Sequence, residues 1–329
     1  MATLKDVADK AGVTVTTVSR MLNNKVNVSE KTKKKIYRAM DALDYTPNEL
    51  ARALTMQRSN VIGLIIPSAK HFFFADMIHC IEEYVSAQKY KLLLCVSDLD
   101  EKKESEYFTM LKANRVAGVI VASRTQNIGA LINFKAPIVT IERTLTEEIP
   151  SISSDNYTGG SLAAVHLLKA GCKALAYIGG SPELDMEGNK RFTGFSETLC
   201  KEGIKEPVVI NATERDFIKL DYENVIESLF QNHRGIDGIF ATNDIIAAQI
   251  LQYCHRHGIK VPEQMKIIGY DDTKLCSLCF PTISSISQPI DEMCRCAVET
   301  VIQLSEGKMV PSRILFPVHL VERESSIRA

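Results

Sequence analysis

Long apolar runs are missing from this sequence. No run approaches the ~18 residues that a membrane-spanning helix needs, and the opening residues 1–6 do not begin a signal-peptide core. We therefore expect a cytoplasmic protein without a membrane partner. The composition, 45% hydrophobic and 24% charged over 329 residues, is typical of a globular protein of two or three structural units.

The motifs of common enzyme classes are missing as well. Residues 179–181, Gly-Gly-Ser, do not complete a G-x-G-x-x-G dinucleotide fingerprint, and neither a G-x-x-x-x-G-K-[ST] phosphate loop nor a G-x-S-x-G nucleophile elbow occurs. We therefore predict no cofactor and no enzymatic activity. An enzyme of Rossmann type, built on scattered carboxylates, is kept as an alternative.

The cysteine pattern does not indicate disulfides, because nine cysteines in a long chain without a secretory signal favour free thiols. Cys276-x-x-Cys279 followed by Cys294-x-Cys296 has a spacing similar to that of a zinc site. The second pair has helical periodicity, however, and positions i and i+2 of a helix point in different directions. Core packing is therefore the prediction and zinc the alternative. Residues 254–257, Cys-His-Arg-His, are interpreted as a polar helix end.

Charge is distributed unevenly along the chain. Residues 1–58 hold 11 lysines and arginines against 6 acidic residues, whereas the rest holds 28 against 34, although the formal net charge is only −1. A basic head on an acidic body indicates that the head alone meets a polyanion such as DNA.

Three short helices are predicted in the basic head. Thr3 caps the first, which Gly12 ends; Thr14 caps the second, to about residue 22; the third follows Ser29. Two short helices joined by a tight glycine turn form a helix-turn-helix, which lays its second helix in the major groove of DNA. A plain three-helix cap with a solvated basic face is the alternative.

The start of the second helix carries the candidates for reading bases. Val15 and Thr16 can contact a thymine methyl group, and the fork of Arg20 suits guanine. Phosphate contacts, which fix register without reading sequence, are expected from Ser19, Asn23, Lys33 and Lys34.

From residue 61 onward, short aliphatic runs alternate with amphipathic helical stretches. Continuous apolar strands between helices predict buried parallel sheets, here divided into two Rossmann-like lobes. In periplasmic sugar-binding proteins, which have this architecture, ligand lies in the cleft at the carboxyl ends of the strands. The runs are 61–66, 92–96, 118–121, 138–141, 175–178, 208–210, 238–241 and 266–270.

Polar and aromatic residues that follow these runs, or lie near a helix start, are candidates for lining the cleft. Carboxylates accept hydrogen bonds from hydroxyls, arginine donates them, and an aromatic face covers the apolar side of a ring, so the set favours a polyol over a lipid or a metal. As structural alternatives, one of residues 72–74 would be core, Arg143 would pair with Glu142, and Asp272 would only cap. The candidates are Phe73, Phe74, Glu142, Arg191, Phe217, Asp244 and Asp271.

The N-terminal segment resembles the LacI/GalR family of bacterial transcription regulators. Residues 3–8 (TLKDVA), 11–20 (AGVTVTTVSR) and Asn23 match the family signature, which continues through 28–32, 43–48 and 51–54. The similarity covers essentially the whole chain. It implies a homodimeric repressor of carbohydrate-utilisation genes, nucleoid-associated when bound, whose affinity for double-stranded operator DNA is controlled by a small sugar-like effector. The family contains induced and co-repressed members, so the direction in which the effector changes DNA affinity stays open.

The resemblance also implies roles for single residues. Arg191 matches the effector-binding arginine of an R-x-x-G-F element, Asp244 the aspartate of A-x-N-D, and Asp271 the first aspartate of G-Y-D-D. Phe217 matches an aromatic that stacks on effectors, and Phe73 and Phe74 match the N-P-F-F region. The DNA-binding positions implied are Thr3, Thr14, Val15, Thr16, Ser19, Arg20, Asn23, Asn48, Ala51 and Leu54.

Two departures from the family pattern limit what the resemblance implies about the pocket. His71-Phe72 replaces the usual Asn-Pro, which could change the floor of the pocket, and Glu142 replaces a more common aspartate, whose shorter side chain would leave a larger cavity. Asp185 stands where the purine repressor has a base-reading arginine, which favours a neutral sugar over a purine.

Residues 48–54 are predicted to form a short hinge helix after Pro47. Helices shorter than ~12 residues are marginal in water, so this one should fold only when something packs against it. The resemblance implies that two such helices, one per subunit, meet in the minor groove, where Leu54 enters a base step. A plain linker is the alternative.

The predicted organisation is a helix-turn-helix domain (1–46), a hinge (47–59) and an effector-binding and dimerisation domain (60–329). Within the last, one lobe comprises 60–156 plus 288–318 and the other 157–287 plus 319–329. Because no leucine heptad follows, we expect a dimer rather than a tetramer. A sugar-transport protein with a vestigial head is a further alternative.

Overall fold

The computed structural model describes residues 2–22, 28–45, 59–125, 134–183, 186–204 and 206–327. The predicted hinge helix, with Asn48, Ala51 and Leu54, lies outside the described residues, as do Asn23 and Asp185. The chain divides into two compact units, Met1–Ser59 and Asn60–Ala329. Among the described residues, no helix combines the length and the apolar character that crossing a membrane requires.

The first unit has the predicted short helices, α1 (Leu4–Ala11), α2 (Val15–Leu22) and α3 (Glu30–Ala42). Thr3 caps α1 through a capping box, and Gly12 ends it with a φ of 66°, a left-handed value that glycine adopts at little cost. Val7, Val18 and Ile36, one from each helix, are fully buried in a shared core. The helix-turn-helix prediction is confirmed.

The first lobe of the second unit is built on a six-stranded parallel sheet in the order β11-β5-β4-β3-β1-β2. Its core joins the sheet to three helices, which belong to the same lobe. The elements are β1 (Val61–Ile66), α4 (Phe72–Ala87), β2 (Lys91–Val96), α5 (Glu101–Ala113), β3 (Gly118–Val121), β4 (Ile138–Ile141), β5 (Ser151–Ser154), α12 (Ile290–Ser305) and β11 (Arg313–Phe316).

The second lobe is built on another six-stranded sheet, in the order β12-β10-β9-β8-β6-β7, in which only β12 runs antiparallel to its neighbour. A short 3₁₀ turn, Glu187–Asn189, precedes α7. The elements are α6 (Asn156–Lys169), β6 (Leu175–Gly179), α7 (Lys190–Lys201), β7 (Val208–Asn211), α8 (Glu214–Lys219), α9 (Glu223–Asn232), β8 (Gly238–Ala241), α10 (Asp244–Arg256), β9 (Lys266–Asp271), α11 (Lys274–Leu278), β10 (Ser284–Ser287) and β12 (His319–Val321).

The chain passes between the lobes three times, after β5, after β10 and after β11. Each lobe therefore takes its strands from separate parts of the sequence. All eight predicted runs are strands, whereas β5, β10, β11 and β12 were not predicted. The lobe boundaries given above stay a prediction.

Candidate functional site

A cleft of about 120 Å³ lies between the two lobes, where the carboxyl ends of the strands meet. Phe73, Phe74 and Glu142 line it from the first lobe. Arg191 and Asp271 line it from the second lobe, as does Phe217. The structure thus brings six of the seven predicted residues together, and their role in binding stays a prediction.

Arg191 lies in the first turn of α7 and lines the cleft. Its Nε donates to Asn156 Oδ1 and its Nη1 to the carbonyl of Thr242, both at 2.6 Å. The guanidinium carbon lies 3.5 Å from the ring centre of Tyr270, and Nη1 lies 4.0 Å from Asp271 Oδ1. Burial alone would lower the pKa of Arg191, but electrostatic interactions with its neighbours, chiefly Tyr270 and Asp271, raise it. Arg191 is therefore a charged donor fixed in place.

The position of α7, and with it Arg191, depends on two glycines. Gly160 of α6 faces the carbonyl of Arg191, and Gly194 of α7 faces the carbonyl of Tyr157. A Cβ at either glycine would overlap that backbone oxygen. The two helices approach so closely only because neither glycine has a side chain.

The two carboxylates of the cleft stand on strained backbone. Glu142 has a φ of 55° and Asp271 a φ of 104°, values that residues with side chains rarely adopt and that concentrate at functional sites. Glu142 accepts from the backbone N–H of Ser154 at 2.6 Å, and Asp271 accepts from Gln288 Nε2 at 2.6 Å. Burial raises the pKa of Asp271 well above its ordinary value, while Arg191 opposes that rise.

Asp244 is placed differently from the other predicted residues, because it is buried and does not line the cleft. Its carboxylate accepts from the Thr273 backbone N–H at 2.7 Å, from Thr273 Oγ1 at 2.9 Å and from Ser285 Oγ at 2.6 Å. Burial raises the pKa of Asp244 to about 6. The preceding residue, Asn243, lines the cleft instead and caps α10.

An aromatic cluster joins the lobes on one side of the cleft. Phe217 of α8 stacks on His71, with ring centres 5.3 Å apart, and meets Phe74 edge-on at 6.3 Å. Arg124, which follows β3, lies 4.5 Å from the ring centre of Phe217 and donates to Glu214 at 2.9 and 3.2 Å. These contacts connect the first lobe directly to the second.

The structure differs from the structural alternatives that were given for Arg143, for Asp272 and for residues 72–74. Arg143 donates to the carbonyl and hydroxyl of Ser123 rather than pairing with Glu142. Asp272 pairs with Arg323 at 2.7 Å, so it does more than cap. Two of the three phenylalanines are buried rather than one, since Phe72 is 42% exposed.

In the first unit, α2 presents its predicted base-reading side chains to solvent. Val15 is 41% exposed, and Thr16 and Arg20 are also exposed, whereas Val18 and Met21 point into the core. Thr14 Oγ1 accepts from the backbone N–H of Thr17 at 3.2 Å, which caps α2. The apolar stripe and the exposed polar start of α2 are therefore on different faces.

Comparison with known proteins places both units in one family. A model of bacterial regulatory proteins of the lacI family matches residues 3–48, and a periplasmic binding protein-like domain matches residues 164–326. The chain is 35% identical to the sucrose operon repressor of Streptococcus mutans and 36% identical to the ribose operon repressor of Bacillus subtilis, each over 99% of both chains. The chain belongs to the LacI family. It is a DNA-binding regulator of transcription.

Solved structures agree with this assignment to the LacI family. A periplasmic binding protein/LacI transcriptional regulator from Alkaliphilus metalliredigens, complexed with D-xylulofuranose, is 32% identical and has a TM-score of 0.74, covering 82% of this chain and all of that one. The lac repressor dimer bound to operator has a TM-score of 0.84 over 99% of both chains, and at 24% identity it supports the fold alone.

Several residues that line the cleft of this LacI-family protein were missed from the sequence. His71 was identified with the aromatic residues after the first strand and as a departure from the family pattern, but it was not chosen as a site residue, and Gln288 follows a strand that was not predicted. Arg124 follows a predicted strand, so the search for polar residues after strands could have found it, whereas Asn243 was identified beside Asp244 but Asp244 was chosen as the site residue.

The cysteine pairs lie in separate parts of the protein. Cys276 and Cys279 pack in the core of the second lobe, and Cys294 and Cys296 pack with the core of the first lobe. The spacing that is similar to a zinc site therefore does not bring the four thiols together.

Proposed function

We propose that this chain is a homodimeric repressor of carbohydrate-utilisation genes whose affinity for operator DNA is set by a small sugar in the cleft. The chemistry of the cleft carries the proposal. Arg191, Glu142 and Asp271 offer donors and acceptors for hydroxyl groups, and Phe74 and Phe217 offer faces for the apolar side of a ring. The relatives named for the sucrose and ribose operons support a sugar, as does the D-xylulofuranose complex.

The size of the cleft favours a single sugar ring. Pockets for drug-sized ligands have about 300–1,000 Å³, and this cleft, at about 120 Å³, is smaller. A pentose has fewer than half as many non-hydrogen atoms as a disaccharide. We therefore propose a monosaccharide.

A ligand changes DNA affinity only through its different affinities for two conformations of the protein. The Arg124–Glu214 pair and the His71–Phe217 stack join the lobes in the arrangement described here. The proposal is that the effector shifts the balance between this arrangement and a second one, and that residues 48–54 of two subunits carry the change to DNA.

A hydrolase is the alternative that one cluster of residues suggests. His166 Nε2 lies 2.7 Å from Ser326 Oγ, and its Nδ1 lies 3.6 Å from Glu322, in the order of a Ser-His-acid triad. Ser326 is only 1% exposed, however, and donates to Ser284 at 2.7 Å. A buried hydroxyl cannot reach a substrate, so we propose that the cluster stabilises the C-terminal segment and that the protein is not an enzyme.

The function is tested with full-length protein and duplexes selected from a random pool. Fluorescence anisotropy then measures the Kd of the selected duplex with and without D-ribose, D-xylulose and sucrose. We expect one sugar to change the Kd at least about fivefold, and added salt to weaken binding steeply. If the selection enriches no duplex, the proposal that the protein is a repressor is wrong. If no sugar changes the Kd, the proposal that the effector is a sugar is wrong.

The same protein should sediment as a dimer. Leu278 and Phe280 of the second lobe are large, exposed apolar side chains that lie close in sequence, as expected at an interface. Stable tetramers at micromolar concentration would contradict the dimer.

Replacing Arg20 by alanine should weaken binding to the selected duplex by about 5- to 150-fold, because a bidentate contact to guanine is worth about 1–3 kcal/mol. The specificity at one base pair should relax as well, which repeated selection with the variant measures. Lys34→Ala is the matched control, since loss of a phosphate contact weakens all duplexes alike and reduces the salt slope by about one. Equal behaviour of the two variants would show that Arg20 reads no base.

Replacing Leu54 by alanine should weaken the selected duplex far more than an unrelated duplex. A side chain that enters a base step acts only where the DNA is kinked, and unstacking is sequence-dependent. Competition binding with the two duplexes measures the ratio. An equal loss of affinity for both duplexes would show that Leu54 does not enter a base step.

A further inference from the structure

The imidazole of His71 is buried without a partner for either nitrogen. The residue is 4% exposed at the start of α4, yet its side chain does not cap the helix. Neither Nδ1 nor Nε2 has a hydrogen-bond partner among the residues that the structure describes. Buried polar atoms are nearly always hydrogen-bonded, and leaving one unpaired costs about 1–3 kcal/mol. The arrangement therefore calls for a hydrogen-bonding ligand.

The imidazole is held in place by aromatic rings from both lobes. It stacks on Phe217 of the second lobe, with planes 26° apart, and meets Phe74 of the first lobe at 70° with ring centres 5.6 Å apart. All three residues line the cleft. Because both flanking rings are apolar, they fix the imidazole without satisfying its nitrogens.

Burial and the charges around His71 keep the imidazole neutral. Burial, and the nearby Arg124 and Arg191, lower the pKa of His71 to about 3. A neutral imidazole has one N–H donor and one acceptor nitrogen. Hydroxyl groups both donate and accept, so they can satisfy both nitrogens, whereas a fully ionised phosphate only accepts.

The cations of the cleft are already matched by carboxylates. Arg124 donates twice to Glu214, and Arg191 faces Asp271. Glu142 adds a further carboxylate to the lining. A ligand dianion would therefore lose its hydration without gaining an unmatched positive charge.

We propose that His71 selects a neutral monosaccharide by hydrogen bonding its hydroxyl groups and discriminates against phosphorylated sugars, an inference that rests on the proposed sugar-responsive function. A histidine that stabilised only the fold would have its nitrogens paired within the protein. His71 instead places a donor and an acceptor at the cleft, which makes it a specificity-determining residue.

The test compares wild type with His71→Leu and His71→Gln, using calorimetric titration with D-ribose, D-xylulose, sucrose and D-ribose 5-phosphate. We expect wild type to bind a neutral monosaccharide more tightly than the phosphate. Leucine should weaken that binding about 10- to 100-fold, and glutamine, which keeps a donor and an acceptor, should restore part of it. Phe72→Leu, next to His71 but 42% exposed, is the control and should bind as wild type does.

A second readout needs no ligand. Because His71→Leu removes two unpaired buried nitrogens, the unliganded variant should melt at a higher temperature than wild type. A lower melting temperature of His71→Leu overturns the inference, whether or not any sugar binds. If no sugar binds to wild type, the proposed effector class is wrong, and this is a separate result. Unchanged sugar affinity in His71→Leu, or tighter binding of the phosphate than of every neutral sugar, overturns the inference and leaves the sugar-responsive function in place.

Discussion

Replacing Arg191 by alanine is expected to abolish effector binding and to lower the free energy of unfolding by about 3–5 kcal/mol. The guanidinium donates to Asn156 and Thr242 and faces the buried Asp271, so its removal leaves a carboxylate without its cation. Urea unfolding measures the stability, and calorimetric titration with D-ribose, D-xylulose and sucrose measures the binding.

Two further variants separate the causes. Adding Asp271→Asn to Arg191→Ala should recover part of the stability, because the unmatched carboxylate is gone, without recovering binding. Arg323→Ala breaks a different arginine–aspartate pair, with Asp272, and should leave sugar binding intact. An Arg191→Ala protein that binds sugar and unfolds as wild type does would refute the site.

Replacing Gly194 by alanine is expected to lower the free energy of unfolding by about 1–3 kcal/mol or more, since extra atoms in a packed contact force the backbone to shift. The added methyl would overlap the carbonyl oxygen of Tyr157, and a backbone oxygen cannot rotate away as a side chain does. Displacement of α7 should also move Arg191 and weaken sugar binding, which the same titration measures.

Gly188→Ala is the matched control for stability. A Cβ at Gly188 would meet only side-chain atoms of Arg191 at 3.9 Å, an ordinary contact, and its φ is not positive. This variant should unfold close to wild type. If Gly194→Ala were equally harmless, the helices α6 and α7 would not depend on glycine for their approach.

The strands that could be predicted from the sequence are those with a continuous apolar run. Runs such as 61–66 and 238–241 are strands because an interior parallel strand is buried on both faces. Strands β5 and β10 read Ser-Ile-Ser-Ser and Ser-Ser-Ile-Ser, and most of their residues are buried. Two of these serines are held by specific partners, Ser154 by Gln288 and Ser285 by Asp244. Partners so distant in sequence leave no local signal.

The residues of the candidate site also divide into those that a local pattern predicts and those that depend on contacts distant in sequence. The rule that polar residues follow strands, together with the family resemblance, placed Arg191, Glu142 and Asp271 at the cleft. It favoured Asp244, whereas the preceding Asn243 is the residue that lines the cleft, because successive residues at a helix start point about 100° apart and only the register decides which one faces the cleft. His71 follows a predicted strand and departs from a motif, but its unpaired nitrogens are a property of its surroundings and leave no signal in the sequence.

The three passages of the chain between the lobes also constrain how the protein is made. Strand β11, at the edge of the first sheet, and helix α12, which packs on that sheet, are the last parts of the first lobe to be synthesised. Domains generally fold as units during synthesis, from the N-terminus onward. Here the lobe that begins first cannot be completed until residue 316 has left the ribosome, by which time nearly all of the second lobe has emerged. A prematurely terminated product would therefore carry a finished DNA-binding head on two unfinished lobes.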